Sequence, residues 1–296
     1  ILLPPAMMLV FLGTFGVVAS THWLATATAM AVLEKGGNAF DAGAAAGFAL
    51  QVVEPHLNGP GGEAPIIVHN TRRGKTEVIC GQGVAPAGAT LEHYRREGLD
   101  MVPGTGLLAT CVPGAFDAWM VLLRDYGTLS LADILGPAIG YAENGYPLAW
   151  RIPVTIGTVA EMFRTAWRSS AAVYLKNGQP PKAGQLFRNP ALAATYRRVL
   201  AEAEAGGGDR ERVIDRARDA WYRGFVAEAI DKFCRGEKVL DSSGRRHNGV
   251  LAADDMARWE APIEYPLTYD SRGYTVVKGG PWSQGPVLLQ QLALLA

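Results

Sequence analysis

The chain has 296 residues, with 28 Lys and Arg balancing 28 Asp and Glu, so its formal net charge is zero. That balance excludes a general phosphate-binding surface as its main business, and 49% apolar content at low net charge excludes intrinsic disorder. A chain of this length buries about three quarters of the surface it exposes when unfolded and needs no disulfide staples, while 35 glycines and 18 prolines point to many tight turns and close backbone approaches.

Residues 1–20 carry no charge. A signal-peptide core or membrane anchor is the sharp reading, but no basic n-region precedes the run, and Pro4-Pro5, Gly13 and Gly16 interrupt it. The segment reads instead as an extension running into a buried strand, and no other stretch is apolar enough to span a bilayer. From His22 a helical pattern runs to Lys35, where Gly36-Gly37 stops it, and Asn38 caps a second helix through Val53. Small residues from Ala42 to Ala49 require that helix to be packed on nearly every side. A glycine-rich loop, Glu54–Glu63, leads into strands at Ala64–His69 and Thr76–Cys80, joined by a turn through Arg73-Gly74.

Pro113–Tyr126 reads as a helix with Phe116, Trp119, Met120 and Leu123 on one face, Pro113 in its first turn and Gly127 as its stop. The next helix begins at Ser130, with Asp133 in capping-box spacing and a stripe of Leu131, Ile134, Leu135, Ala138, Ile139 and Ala142. Residues 150–235 are mostly helical, broken by loops at Pro180-Pro181 and Ala205–Gly208, and the charge run Asp209–Arg212 reads as a solvated helix face. Asp241–Gly244 is a turn. A helix at Ala253–Trp259, strands at Glu264–Tyr269 and Gly273–Lys278, and a last helix from Pro286 complete the chain.

Most standard constellations are missing. There is no P-loop signature, and Gly81-Gln82-Gly83 runs into Val84-Ala85-Pro86 rather than into a helix-opening glycine, which speaks against a dinucleotide site. His22, His56, His69, His93 and His247 have no metal-ligand spacing and read as surface or satisfied core residues. Cys80, Cys111 and Cys234 form no C-x-x-C and read as buried small hydrophobes. Ser283 lacks the glycines of a nucleophile elbow.

A succession of short motifs carries more information. Gly37-Asn38-Ala39-Phe40-Asp41-Ala42, Val52-Val53-Glu54-Pro55-His56 and Asn58-Gly59-Pro60-Gly61-Gly62 strongly resemble the γ-glutamyltransferase family. The same order continues through Ala85-Pro86, Val112-Pro113-Gly114, Tyr126-Gly127, Pro137-Ala138-Ile139, Phe187–Tyr196, Trp221-Tyr222-Arg223-Gly224, Asp254-Asp255-Met256, Tyr269–Tyr274 and Pro281–Gln291. The resemblance implies an α+β, N-terminal-nucleophile hydrolase fold: an αββα sandwich of two stacked sheets between helical layers. Residues 1–296 would then be a single domain, the large-subunit portion of a precursor that cuts itself. It also implies a partner, a small subunit absent from this chain, whose first residue is the threonine nucleophile and whose start lies beyond Pro281–Gln291. Such a threonine carries its own base, because its freed α-amine titrates near neutrality and takes the hydroxyl proton. No catalytic residue is then expected in this chain, and neither a metal nor an organic cofactor is implied. The other implied partner is a small-molecule γ-glutamyl or glutaryl amide, with no nucleic acid and no membrane span. The compartment stays open between bacterial cytoplasm and periplasm.

One departure bears on substrate. The family's glutathione-cleaving members carry, in the strand before Ala-Pro, an arginine that pairs with the α-carboxylate of the γ-glutamyl group; aligning on Ala85-Pro86 puts Gln82 there. Glutamine offers an amide N–H and a carbonyl but no charge, and losing that ion pair in a desolvated site costs about 2–5 kcal/mol of binding. Either the acyl group recognised differs, or Arg72, Arg73 or another cation substitutes, or Gln82 is merely a strand-end residue packed against glycine. Pro60 and Glu63 also depart from the family's usual Ile and Gly, and the Gly59–Gly62 loop reads as a structural bend. NGPGGE, CGQG and PWSQGP together are similar to the branch containing bacterial cephalosporin acylases. Three alternatives therefore stand beside γ-glutamyl cleavage: an acylase-type hydrolase without that specificity, an inactive binding or scaffold homologue, and an enzyme using Ser283 or Cys111. Pro281–Gly285 is expected to be a loop leading into a helix near the subunit boundary.

Overall fold

The structure is a computed structural model that describes residues 12–295. Helices form where caps and apolar stripes coincide. Helix α1 (Trp23–Glu34) starts at His22, whose Nδ1 accepts the Leu24 N–H at 3.1 Å, and ends before Gly36, which takes a left-handed φ of 98°. Asn38 and Asp41 cap α2 (Ala39–Val53) reciprocally. The Asp41 carboxylate also accepts the Thr128 N–H and hydroxyl, which ties the loop ahead of the fifth helix to the start of α2. Between Asp41 and Val53 only Gly43 and Leu50 are not fully buried, as a run of small residues demands.

Strands β1 (Ala64–Asn70) and β2 (Lys75–Gly81) form an antiparallel hairpin, with Ala64 opposite Gly81 and Asn70 opposite Lys75. Helices α3 (Leu91–Arg96), α4 (Ala115–Tyr126) and α5 (Leu131–Asn144) follow, and every residue of the predicted α5 stripe is buried. The middle of the chain holds β3 (Tyr146–Pro147), α6 (Arg151–Thr165), α7 (Arg168–Tyr174), β4 (Leu186–Phe187), α8 (Pro190–Ala205), α9 (Arg210–Tyr222) and α10 (Phe225–Gly236). The last part holds β5 (Val239–Leu240), β6 (Arg246–His247), α11 (Ala253–Ala257), β7 (Ile263–Glu264), β8 (Leu267–Ser271), β9 (Tyr274–Lys278) and α12 (Gly285–Leu294).

The core is built on α2, which packs against α1, α4 and α5. Phe48 of α2 meets Phe116 of α4 edge-on at 5.8 Å, and Phe116 stacks on Trp221 of α9 at 4.2 Å. A buried ion pair joins these layers. Arg218 Nε of α9 donates to Asp117 Oδ1 of α4 at 2.6 Å, and Asp117 Oδ2 accepts the Ala261 N–H at 2.6 Å. Burial opposes the guanidinium's charge, but Asp117 outweighs it and holds Arg218 above the ordinary arginine pKa.

Beside this helical layer lies one three-stranded sheet of order β1-β2-β7; β3–β4, β5–β6 and β8–β9 are separate two-stranded ribbons. Among the described residues β1-β2-β7 is the only sheet of three strands.

Several expectations need correction. Residues 12–20 form no strand, and Leu12, Phe15 and Val17 are exposed; the rest of that expected extension lies outside the described residues. Pro113 precedes α4 rather than entering its first turn, because Gly114 is the cap and the Pro113 carbonyl accepts the Tyr222 hydroxyl at 2.6 Å. Pro266 donates no N–H, so the strand expected over Glu264–Tyr269 splits: β7 joins the β1–β2 hairpin and β8 pairs with β9. Arg210 is no solvated charge, since its Nε donates to the Leu129 carbonyl at 2.6 Å and its Nη2 to the Leu123 carbonyl. Cys80 and Cys234 are buried, but Cys111 is exposed.

Candidate functional site

Gln82 follows the last residue of β2, where three glycines let backbones approach more closely than any side chain permits. A β-carbon on Gly81 would lie 2.4 Å from the Ala64 carbonyl oxygen, one on Gly114 would lie 2.2 Å from the Gly81 oxygen, and one on Gly83 would lie 1.5 Å from the Val112 oxygen. The Val112 N–H donates to the Val84 carbonyl at 2.9 Å, so residues 82–84 are laid directly along the segment that leads into α4.

The start of α4 is part of the same construction. Gly114 has no side chain to cap the helix, whose first N–H groups need acceptors. The Gly62 carbonyl supplies one, accepting from Gly114 at 3.1 Å and Ala115 at 3.0 Å. The Tyr222 oxygen supplies another, accepting the Asp117 N–H at 3.1 Å. The Gly59–Gly62 bend, closed by a Gly62 N–H bond to the Gly59 carbonyl, is therefore the cap of α4. Ala85-Pro86 is fixed from the other side, where Asp255 of α11 accepts the Ala87 N–H at 3.0 Å.

Gln82 itself is half-buried, and its side-chain amide makes no hydrogen bond to any described residue. Next to it, burial pushes the Cys80 thiol above its ordinary pKa, so Cys80 is a neutral wall and not a nucleophile. Arg72 and Arg73 do not substitute for a charge at this position. They sit at the far end of the hairpin, about 20 Å away at roughly 3.3 Å per strand residue; Arg73 donates to the Asp125 carbonyl at 3.0 Å and lies over the Tyr126 ring. Ser283 is occupied as well, its hydroxyl donating to the Gly280 carbonyl at 2.9 Å and accepting the Gly285 N–H. Pro281–Gly285 is the expected loop into α12, pinned by the Trp282 indole N–H on Glu264 at 2.7 Å.

The histidines stay apart from Gln82. His247 is buried against Asp241 at 2.6 Å, and His69 bonds Thr76. His22 is buried but its Nε2 has no partner among the described residues, and burial, against an opposing pull from Glu54, lowers its pKa. No three-residue His/Cys/Asp/Glu cluster able to hold a metal occurs among the described residues, and no described helix is long and apolar enough to cross a membrane.

Comparison with known proteins gives this geometry its setting. The family model described as gamma-glutamyltranspeptidase matches residues 25–296. The chain belongs to that family. Its members are N-terminal-nucleophile hydrolases, which fixes the fold class as the large-subunit portion of that architecture. A solved structure described as LmbA2991T421A superposes with a TM-score of 0.93 at 60% identity, covering 96% of this chain and 48% of that one. The cephalosporin acylase from Bacillus halodurans superposes with a TM-score of 0.79 at 30% identity, covering 92% of this chain and 47% of that one. The glutathione hydrolase-like YwrD proenzyme of Bacillus subtilis is 32% identical over 96% of this chain and 49% of its own length. The chain thus spans about half the length of the curated relatives it matches.

In this member of the family, motif order singled out Gln82 as a candidate, but the clasp around it was not foreseen. A helix that opens with Val-Pro-Gly and no capping side chain was the available signal, because its orphan N–H groups had to be satisfied by another part of the chain.

Proposed function

We propose that this chain is the large-subunit portion of a self-processing amidohydrolase or acyltransferase whose nucleophile is a threonine at the start of a separate small subunit. The threonine hydroxyl attacks the amide carbonyl while the freed α-amine takes its proton and passes it to the departing amine. The resulting ester is then cleaved by water or a second amine, which restores the hydroxyl. In this reading Gln82 faces the acyl group, donating an amide N–H to a carboxylate or carbonyl oxygen of a γ-glutamyl or glutaryl-like chain. Its supporting observation is an amide half-buried at a rigid strand end with no partner among the described residues.

The absence of a charge at Gln82 favours the acylase-type variant, in which γ-glutamyl amides are secondary substrates. Intact mass and N-terminal sequencing of every polypeptide in the purified full-length protein is the first test. A second chain beginning with threonine is expected; an uncut precursor would withdraw the enzyme reading and leave a scaffold homologue. Substrate profiling follows, comparing γ-glutamyl, glutaryl and uncharged acyl anilides in the wild type and in Gln82→Arg. A bidentate arginine grip should raise kcat/KM for the γ-glutamyl anilide by about tenfold or more and leave the uncharged anilide unchanged. Equal effects on both substrates would remove Gln82 from the acyl pocket.

A further inference from the structure

A second cleft shares no residue with the clasp around Gln82. It has a volume of about 750 Å³ and opens where the α6–α7 junction meets α10 and the β5–β6 ribbon. That size falls within the range of about 300–1,000 Å³ found for small-molecule sites. Trp167 and Phe233 give it an aromatic wall. Trp167 is held in place, its indole N–H donating to the Leu240 carbonyl at 2.8 Å and its ring stacked on Phe163 at 6.1 Å.

Charge around this wall is one-sided. Arg168, Lys238 and Arg246 line the cleft, and Glu237 is its single acid. None of the three cations pairs with a carboxylate among the described residues; Arg246 reaches only the Lys238 carbonyl, at 3.5 Å. Arginines on the neighbouring helices behave differently, as Arg164 pairs with Glu161, Arg223 with Asp219 and Arg235 with Asp231. In a chain with no net charge, three unpaired cations beside an immobilised aromatic surface are a local excess that a ligand can complement.

We propose that this cleft binds a small organic anion with a flat apolar body, an aromatic or acyl carboxylate. Its apolar part rests against Trp167 and Phe233 and its carboxylate is held by Arg168, Lys238 and Arg246. A fixed ring gives contact area at low entropic cost, and guanidinium–carboxylate bonds are roughly twice as strong as neutral ones. A neutral ligand forgoes those bonds, and a cationic one is repelled.

The test is calorimetric titration of the full-length protein, processed as it exists, with 2-naphthoate and its uncharged isostere 2-naphthamide. The naphthoate should bind at least about tenfold more tightly than the amide, and an Arg168→Ala/Arg246→Ala double variant should lose about tenfold or more in naphthoate affinity. Both arginines are exposed, so the variant's melting temperature and turnover should match the wild type. The comparison of naphthoate with naphthamide needs no variant and stands even if the double variant is unstable. Equal affinities for the two probes, no measurable binding, or binding indifferent to the double substitution would each overturn the proposal. So would competitive inhibition of turnover by naphthoate, which would put the probe in the acyl pocket.

Discussion

The end of β2 and the segment from β8 to α12 both contain several glycines, but they are ordered in opposite ways. Around Gln82 backbone packs directly on backbone: carbonyls of Ala64, Gly81 and Val112 are pressed against glycines, and the Gly62 carbonyl caps α4. In the C-terminal segment, Tyr274 and Leu294 are 77% and 86% exposed, and α12 buries only Gly285 and Leu289. The first region is fixed by backbone contacts that tolerate no added atom. Among the described residues the second is secured by little beyond its own ribbon, α12 and the Trp282–Glu264 bond, so its apolar side chains have a surface to offer. Substitutions should therefore be severe at the clasp and context-dependent at the C-terminal segment.

The largest effect is expected behind the clasp. Arg218→Ala leaves Asp117 buried with its Ala261 N–H bond but without its cation, and loosens α4, whose first turn forms one side of the clasp. Breaking such a pair from one side costs about 3–5 kcal/mol, read by chemical denaturation. A loss under about 1 kcal/mol would mean that Asp117 finds water or another donor.

Gly83→Ala comes next. The new methyl cannot coexist with the Val112 carbonyl, so the Val84–Val112 bond must open, and a destabilisation of about 3 kcal/mol is expected. Gly43→Ala in α2 is the control. A β-carbon there meets nothing within 4 Å and the residue is exposed, so this substitution should stabilise the protein by about 0.5–1 kcal/mol. If both variants lose stability alike, close approach is not what distinguishes the clasp.

These two glycines also show what the sequence made legible. Helices α1, α2 and α5 were readable because Asn38, Ser130 and the apolar stripes are local signals. The surplus of glycine pointed to close approaches in general, but that Gly83 is one of them and that Val112 is the group that approaches are set by long-range packing that no spacing encodes. The same limit hid β7, which joins β2 from nearly 200 positions further along. It also hid Arg210, whose neighbours Asp209, Glu211 and Arg212 made it look like one more solvated charge. Position 82 itself came from motif order, and its missing partner is a property of packing alone.

A smaller effect is expected at the opposite end of the β2–α4 contact. Hydrogen bonds from Lys75 and from the Tyr126 hydroxyl, the latter at 2.6 Å, hold Glu77 below the ordinary glutamate pKa against the effect of burial. Burial and then Glu77 push Tyr126 up to about 12. A depressed carboxylate contributes stability that is complete above its ordinary value and is lost as pH falls through the folded one. A raised phenol contributes stability that is complete below its ordinary value near 10 and is lost as pH rises toward about 12. Tyr126→Phe should cost about 1.5–3 kcal/mol at pH 7, as for a hydrogen bond to a charged group, and should flatten the alkaline limb and part of the acid limb of a stability–pH profile. An unchanged profile would place that pH dependence elsewhere in the chain.

The smallest expected effect tests the other side of the comparison. Tyr274 is exposed on β9, where truncation to Ser removes almost no contact within this chain and should cost under about 0.5 kcal/mol if solvent is its true surroundings. If the small subunit of the proposed reading covers this segment, an aromatic ring at such a surface contributes about 1 kcal/mol or more. With that cover in place, Tyr274→Ser in the processed protein should lower stability by that larger amount, with the loss appearing as easier separation of the two polypeptides. Gly83→Ala, by contrast, should weaken the large subunit without regard to a partner. If Tyr274→Ser is neutral in the processed protein, the partner docks elsewhere, and β9 presents its tyrosine to water for a reason that its own chain does not supply.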